Sequence, residues 1–229
     1  MSETEFEVDG SFRFQGRTFE EYRRLFDLDP SSLSGPVLDC PGGPSSFTAV
    51  ARSIGVEAYA VDPQYARSVT AMAADCEAAV DDTEDQLREK RDRFVWDHYE
   101  DVDTRCRYLR AAGERFLADY ADHPSRYVAA ALPDLPFENS AFDRVLSAHL
   151  LFLFDDRLDL AFHLAAMAEL ARVASEEVRV FPLASLDMTR SEFVAPVVEA
   201  LRERGHTVEF REVPYEFLPD VTEMLVVSV

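Results

Sequence analysis

Two aspartates close short apolar runs early in the chain, and a loop of small residues lies between them. Asp39 follows Pro36, Val37 and Leu38; the loop reads Cys40-Pro-Gly-Gly-Pro-Ser-Ser46; Asp62 follows Ala58-Tyr-Ala-Val61. Small residues at Gly42, Gly43 and Ser45 let a backbone approach a ligand closely, and free N–H groups at the start of a following helix favour a carboxylate. An acid ending the next strand can accept hydrogen bonds from two ribose hydroxyls. His149 is the third group of interest. It follows the strand expected over 142–148, and its type titrates near neutral pH, which suits a general base. Two readings of it stand side by side: a general base, or a helix-start or buried, hydrogen-bonded histidine.

The flanking pattern supplies the elements that would position these groups. Residues 36–40 read as a buried strand, 47–54 as a helix stopped by Gly55, and 57–61 as a second strand. Strand, glycine loop, helix, strand, acid is the opening of a doubly wound parallel sheet. The next crossover is long. Val69, Met72, Ala73, Cys76, Val80, Leu87 and Phe94 recur at helical spacing, as do Cys106, Leu109, Phe116, Leu117 and Tyr120. Two helices are therefore expected over 66–124, as a solvated insert or a cap over the ligand site. Further strands are expected at 127–130, 142–148, 177–181, 207–213 and 223–229, with helices over 155–173 and 191–204. Residues 1–35 form an N-terminal extension whose Phe19, Tyr22 and Phe26 predict a helix against the main domain, 36–229. Tyr22 and Arg23 on that helix could close over the site or serve packing and surface roles.

Composition narrows the partners. Of 229 residues, 44 are Asp or Glu and 23 are Lys or Arg, a formal charge of -21, and Lys90 is the only lysine. Such a field opposes generic nucleic-acid binding and fits a halophilic cytoplasm, where salt shortens every repulsion. Cys40, Cys76 and Cys106 are odd in number and form no C-x-x-C, so neither a disulfide framework nor a zinc site is expected, and no acid–histidine cluster has metal-ligand spacing. The longest strongly apolar stretch, 150–154, is too short to cross a membrane. The acidic start carries no signal-peptide pattern, and a cytoplasmic location is expected.

Three blocks make the chain resemble the class I S-adenosylmethionine-dependent methyltransferases, over roughly 36–229. Val37-Leu-Asp-Cys-Pro-Gly-Gly43 sits where that family has its acid-x-Gly-x-Gly-x-Gly loop, with Pro41 and Ser45 at the outer glycine positions. Ala60-Val-Asp62 matches its ribose-binding acid. Leu135-Pro-Phe-Glu-Asn-Ser-Ala-Phe-Asp-Arg-Val145 looks like the stretch leading into its fourth strand. The resemblance implies a seven-stranded, mostly parallel Rossmann-like sheet with an antiparallel last strand and helices on both faces. It also implies S-adenosylmethionine as cofactor. Asp39, Pro41, Gly42, Gly43 and Ser45 would lie at the methionine portion, Asp62 at the ribose, and Ala131 and Leu132 at the adenine. Ala131 stands where the family often carries an acid.

Two functions follow. One is methyl transfer to a small-molecule acceptor, with His149 as catalytic candidate. The other is a non-catalytic descendant that binds a nucleoside or works through protein interactions. In-line displacement from a sulfonium rests largely on positioning, so the lack of an obvious catalytic dyad excludes neither. A nicotinamide dehydrogenase is disfavoured, because G-x-G-x-x-G and a substrate domain are both missing. His163 and Cys40 are expected to be structural.

Overall fold

The computed structural model describes residues 12–229; the first eleven residues of the expected N-terminal extension lie outside them. A helix, α1 (Phe19–Leu25), precedes the sheet. The order is then β1 (Val37–Asp39), α2 (Phe47–Ser53), β2 (Ala58–Val61), α3 (Val69–Glu89), α4 (Val102–Asp122), β3 (Tyr127–Val128), β4 (Phe142–Ala148), α5 (Leu160–Val173), β5 (Ala174–Phe181), α6 (Val194–Glu203), β6 (Thr207–Glu212) and β7 (Glu223–Ser228). The seven strands form one sheet in the order β3-β2-β1-β4-β5-β7-β6. Pairings among β1 to β5 are parallel; β7 runs antiparallel to both β5 and β6. This is the Rossmann-like, doubly wound arrangement.

Strand direction places the chemistry. Asp39 pairs in register with Ala60 on one side and Leu146 on the other, so the carboxyl ends of β1, β2 and β4 open at one edge. Strand order reverses between β1 and β4, the place where ligands bind in such sheets. One core layer, with Leu38, Val145, Val178 and Val180, takes α5 and α6; the opposite layer, with Val37, Ala58 and Leu146, takes α1 and α2. Helices therefore cover both faces.

Several boundaries differ from the sequence pattern for local reasons. The helix expected over 155–173 begins only at Leu160, because Asp159 caps it through the Phe162 N–H. Residues before it form turns, including Phe152 with φ at 68°. The third strand keeps two residues, since Asp62 N–H takes the Val128 carbonyl and the chain then turns away. The fifth strand starts earlier, at Ala174, because polar Ser175 and Glu176 are exposed positions on a strand that pairs with β4. The insert does contain two long helices, α3 and α4, packed on each other. Among the described residues, no helix is long and apolar enough to cross a membrane.

Candidate functional site

Asp39 ends β1 fully buried, and its carboxylate meets a side chain from α1. The Tyr22 hydroxyl donates to it, lying 2.8 Å from Oδ1 and 3.0 Å from Oδ2. Tyr22 is positioned by stacking on Phe47 at 5.0 Å, and Phe19 stacks on the same ring. Helix α1 is itself set by a capping box, Thr18 with Glu21. Burial raises the Asp39 carboxyl well above the usual carboxylate range, opposed by the Tyr22 hydrogen bond and reinforced by Asp62. Tyr22 therefore faces the site, whereas its neighbour Arg23 pairs with Glu20 on the surface.

The glycine loop is drawn toward Asp62. Gly43 N–H donates to Asp62 Oδ2 at 3.0 Å, and Gln64 N–H to Oδ1 at 2.9 Å. Gly42 N–H bonds the Val61 carbonyl. Tyr65 closes the loop from below, its hydroxyl donating to the Gly43 carbonyl at 2.7 Å. A Cβ on Gly42 would lie 2.5 Å from that hydroxyl, and Gly43 holds a left-handed φ of 50°, so both glycines are required where they stand. Asp62 is 7% exposed, and burial raises its carboxyl, countered by the two N–H donors.

Residues 12–18 run over this loop as a strap. Gly16 lies against the backbone of Pro44 and Ser45, where an added Cβ would fall 2.0 Å from the Pro44 carbonyl oxygen. Ser46 N–H donates to the Arg17 carbonyl, Phe19 N–H to Ser46 Oγ and Phe47 N–H to Ser45 Oγ. The Ser46 and Phe47 amides at the start of α2 are thus engaged within the chain. Pro41 and Gly43 are half-buried; Gly42 and Ser45 are buried. Of the two residues that the resemblance assigns to the adenine, Ala131 is exposed, with its carbonyl accepting from Asp134 N–H, and Leu132 packs on the core layer containing Cys40 and Val61.

His149 follows β4 with φ at 55° and its N–H on the Phe181 carbonyl. Its Nδ1 is buried and has no hydrogen-bond partner among the described residues. Burial, then the Arg17 and Arg105 charges, push the imidazole well below the usual histidine range. His163, by contrast, is fully paired: Nε2 accepts from Phe152 N–H and Nδ1 meets the Asp159 carbonyl. It is structural. Cys40 is buried in the core with its thiol pushed up by burial.

Sequence reasoning missed the network behind Tyr22. Glu21, fully buried on α1, accepts from Tyr99 at 2.5 Å and from Arg105 of α4 at 3.3 Å; the Tyr99 hydroxyl also meets Tyr215 at 2.8 Å. These partners lie 78 and 84 residues from Glu21 in sequence, so no local spacing could have linked them. Phe181 bridges the network to His149, with ring centroids 5.9 Å from Tyr215 and 6.0 Å from His149.

No family model matches the chain. It is 29% identical over 213 residues to an uncharacterized protein of Methanocaldococcus jannaschii, covering 93% of this chain and 94% of that one. Similar solved structures include a magnesium protoporphyrin IX methyltransferase from Synechocystis with bound S-adenosylmethionine, 11% identical, covering 86% of this chain and 72% of that one, TM-score 0.44. Another is a S-adenosylmethionine-dependent methyltransferase from Aquifex aeolicus, 15% identical, covering 92% and 96%, TM-score 0.41.

Proposed function

We propose that the chain binds S-adenosylmethionine and transfers its methyl group to a small-molecule acceptor. The observation that supports this reading most is the convergence of Asp39, Gly43 and Asp62 where strand order reverses, with the Gly43 N–H held on Asp62. Each Asp62 oxygen accepts one backbone N–H and keeps a second acceptor position, which suits ribose hydroxyls. The backbone at Ala131 and Leu132 would border the adenine. Asp39, Pro41, Gly42, Gly43 and Ser45 would border the methionine portion, and there the fit requires the strap at Gly16 to lift or the tail to lie along it.

When bound, the cofactor supplies a methyl already activated on a sulfonium. The chain's task is then to align the acceptor and exclude water. His149, neutral at physiological pH, would take a proton from an acceptor that carries one.

The closed strap and the Tyr22 hydroxyl on Asp39 favour a second reading, a non-catalytic protein that binds a nucleoside or acts through other proteins. Thermal melting in high salt separates the two. S-adenosylmethionine or S-adenosylhomocysteine should raise the melting temperature, by about 2.7 kcal/mol of stability at a hundredfold excess over Kd. Asp62→Ala should abolish the shift. A shift without turnover on any acceptor supports the second reading, and no shift at millimolar ligand removes the cofactor assignment.

A further inference from the structure

Arg17 is a half-buried cation whose Nε is covered and whose nearest carboxylate is already full. A carboxylate offers about four acceptor positions. Glu21 fills them with Thr18 N–H and Thr18 Oγ1 at Oε2, and with Tyr99 and Arg105 at Oε1. Arg17 Nε stands 3.7 Å from Glu21 Oε1, beyond hydrogen-bond range, and has no hydrogen-bond partner among the described residues. Among the described residues its NH1 donates only to the Gly16 carbonyl. The side chain is nonetheless 13% exposed.

Arg105 is more deeply placed. It is 2% exposed, stacks over the Tyr99 ring at 4.7 Å, and its Nε also lacks a partner among the described residues. Asp39 does not pair with either guanidinium: its carboxyl accepts from the Tyr22 hydroxyl, and Arg17 and Arg105 each pair with Glu21 instead. Among the described residues, two guanidiniums share the one Glu21 carboxylate, a local excess of one positive charge in a chain of net charge -21. Buried charges are normally paired, so a counter-anion belongs here. Arg17 also joins two regions. Its carbonyl holds Ser46 N–H at the glycine loop, while its charge acts on His149 beyond β4.

We propose that Arg17, backed by Arg105, seats a singly charged carboxylate of a small ligand. One excess charge calls for a monoanion, and a guanidinium binds a carboxylate through paired N–H bonds. The carboxylate could be the amino-acid tail of the nucleoside or an acid group on the acceptor. Only the choice of nucleoside probes rests on the methyltransferase reading.

Two arms on the full chain in high salt distinguish the sources. In the first, calorimetry compares S-adenosylhomocysteine with 5′-methylthioadenosine, which lacks the tail. If the tail is seated, native protein prefers the former by about tenfold or more, and Arg17→Gln loses that preference while binding methylthioadenosine unchanged. In the second, melting shifts are compared for benzoate and neutral benzamide, with and without S-adenosylhomocysteine. If an acceptor acid is seated, benzoate stabilises native protein more than benzamide, and Arg17→Gln removes the difference. Arg17→Lys, which keeps charge but not the fork, replaces Arg17→Gln should the latter fail to fold, and should weaken the preference. Carboxylate preference indifferent to residue 17, or absent in both arms, overturns the proposal. A benzoate response with no nucleoside binding would overturn the methyltransferase reading and leave this one standing.

Discussion

The hydroxyl of Tyr22 lies within 3.0 Å of both carboxylate oxygens of Asp39, joining a helix outside the sheet to the end of β1. This bond sits inside a site that burial has made hostile to charge, and the acidity of Asp39 follows from it.

Asp39 should make stability depend on pH in an unusual direction. Its carboxyl is raised, by burial first, so the native state keeps a proton that the unfolded chain releases near pH 4. That contribution is complete below the unfolded value and is lost as pH climbs through the folded one. Asp39→Asn should therefore gain on the native protein as pH rises from acid to neutral, measured by urea denaturation across the range. A gap that stays constant with pH would refute the titration of Asp39.

Glu21 should behave in the opposite sense. Burial alone would raise its carboxyl, but Arg105, Arg17 and the Tyr99 hydroxyl outweigh it and lower it. Its contribution is present above the unfolded glutamate value and fades as pH falls through the folded one. Glu21→Gln strands Arg105 and should cost about 3–5 kcal/mol at neutral pH. Chemical denaturation checks this, and a loss under about 1 kcal/mol would mean the network is dispensable.

For His149 the left-handed backbone guides the choice of variant. Asparagine tolerates that conformation better than alanine, so His149→Asn should keep the unliganded melting temperature and nucleoside binding. Turnover of a protonated acceptor should fall by about a hundredfold. With the imidazole held below its usual range, the native rate should be flat around neutrality and decline only in acid. Unchanged turnover would make His149 a structural residue.

Salt should stabilise the fold. With a charge of -21, self-repulsion weakens as the Debye length drops from about 10 Å at 0.1 M to about 3 Å at 1 M. The melting temperature should climb over that range in potassium chloride. A flat or falling curve would count against adaptation to a salty cytoplasm.

Most of the sheet was legible because glycine or proline precedes several strands, aspartate closes β1 and β2, and two helical periodicities fill the long crossover. Boundaries slipped where a cap or a pairing partner decides them: Asp159 defers α5, and the pairing of Ala174 with Phe142 of β4 extends β5 back across a bulge at Ser175 and Glu176. At the site, the loop from Cys40 to Ser46 and Asp62 could be read from residue type and place. Glu21, Tyr99 and Arg105 could not. Their types suggest a solvated surface, and only the packing of α4 and the 95–101 segment against α1 turns them inward. Arg17 was equally silent, since nothing local distinguishes it from the other arginines.

Gly16 carries a consequence for how the two halves of the molecule communicate. The strap rests on the loop only because residue 16 presents a hydrogen where any other side chain would press on Pro44. A single methyl there, as in Gly16→Ala, would act as a wedge. It would bias the protein toward an unlatched form while leaving Asp39, Asp62, Arg17 and His149 chemically intact, and so uncouple access to the cleft from recognition within it.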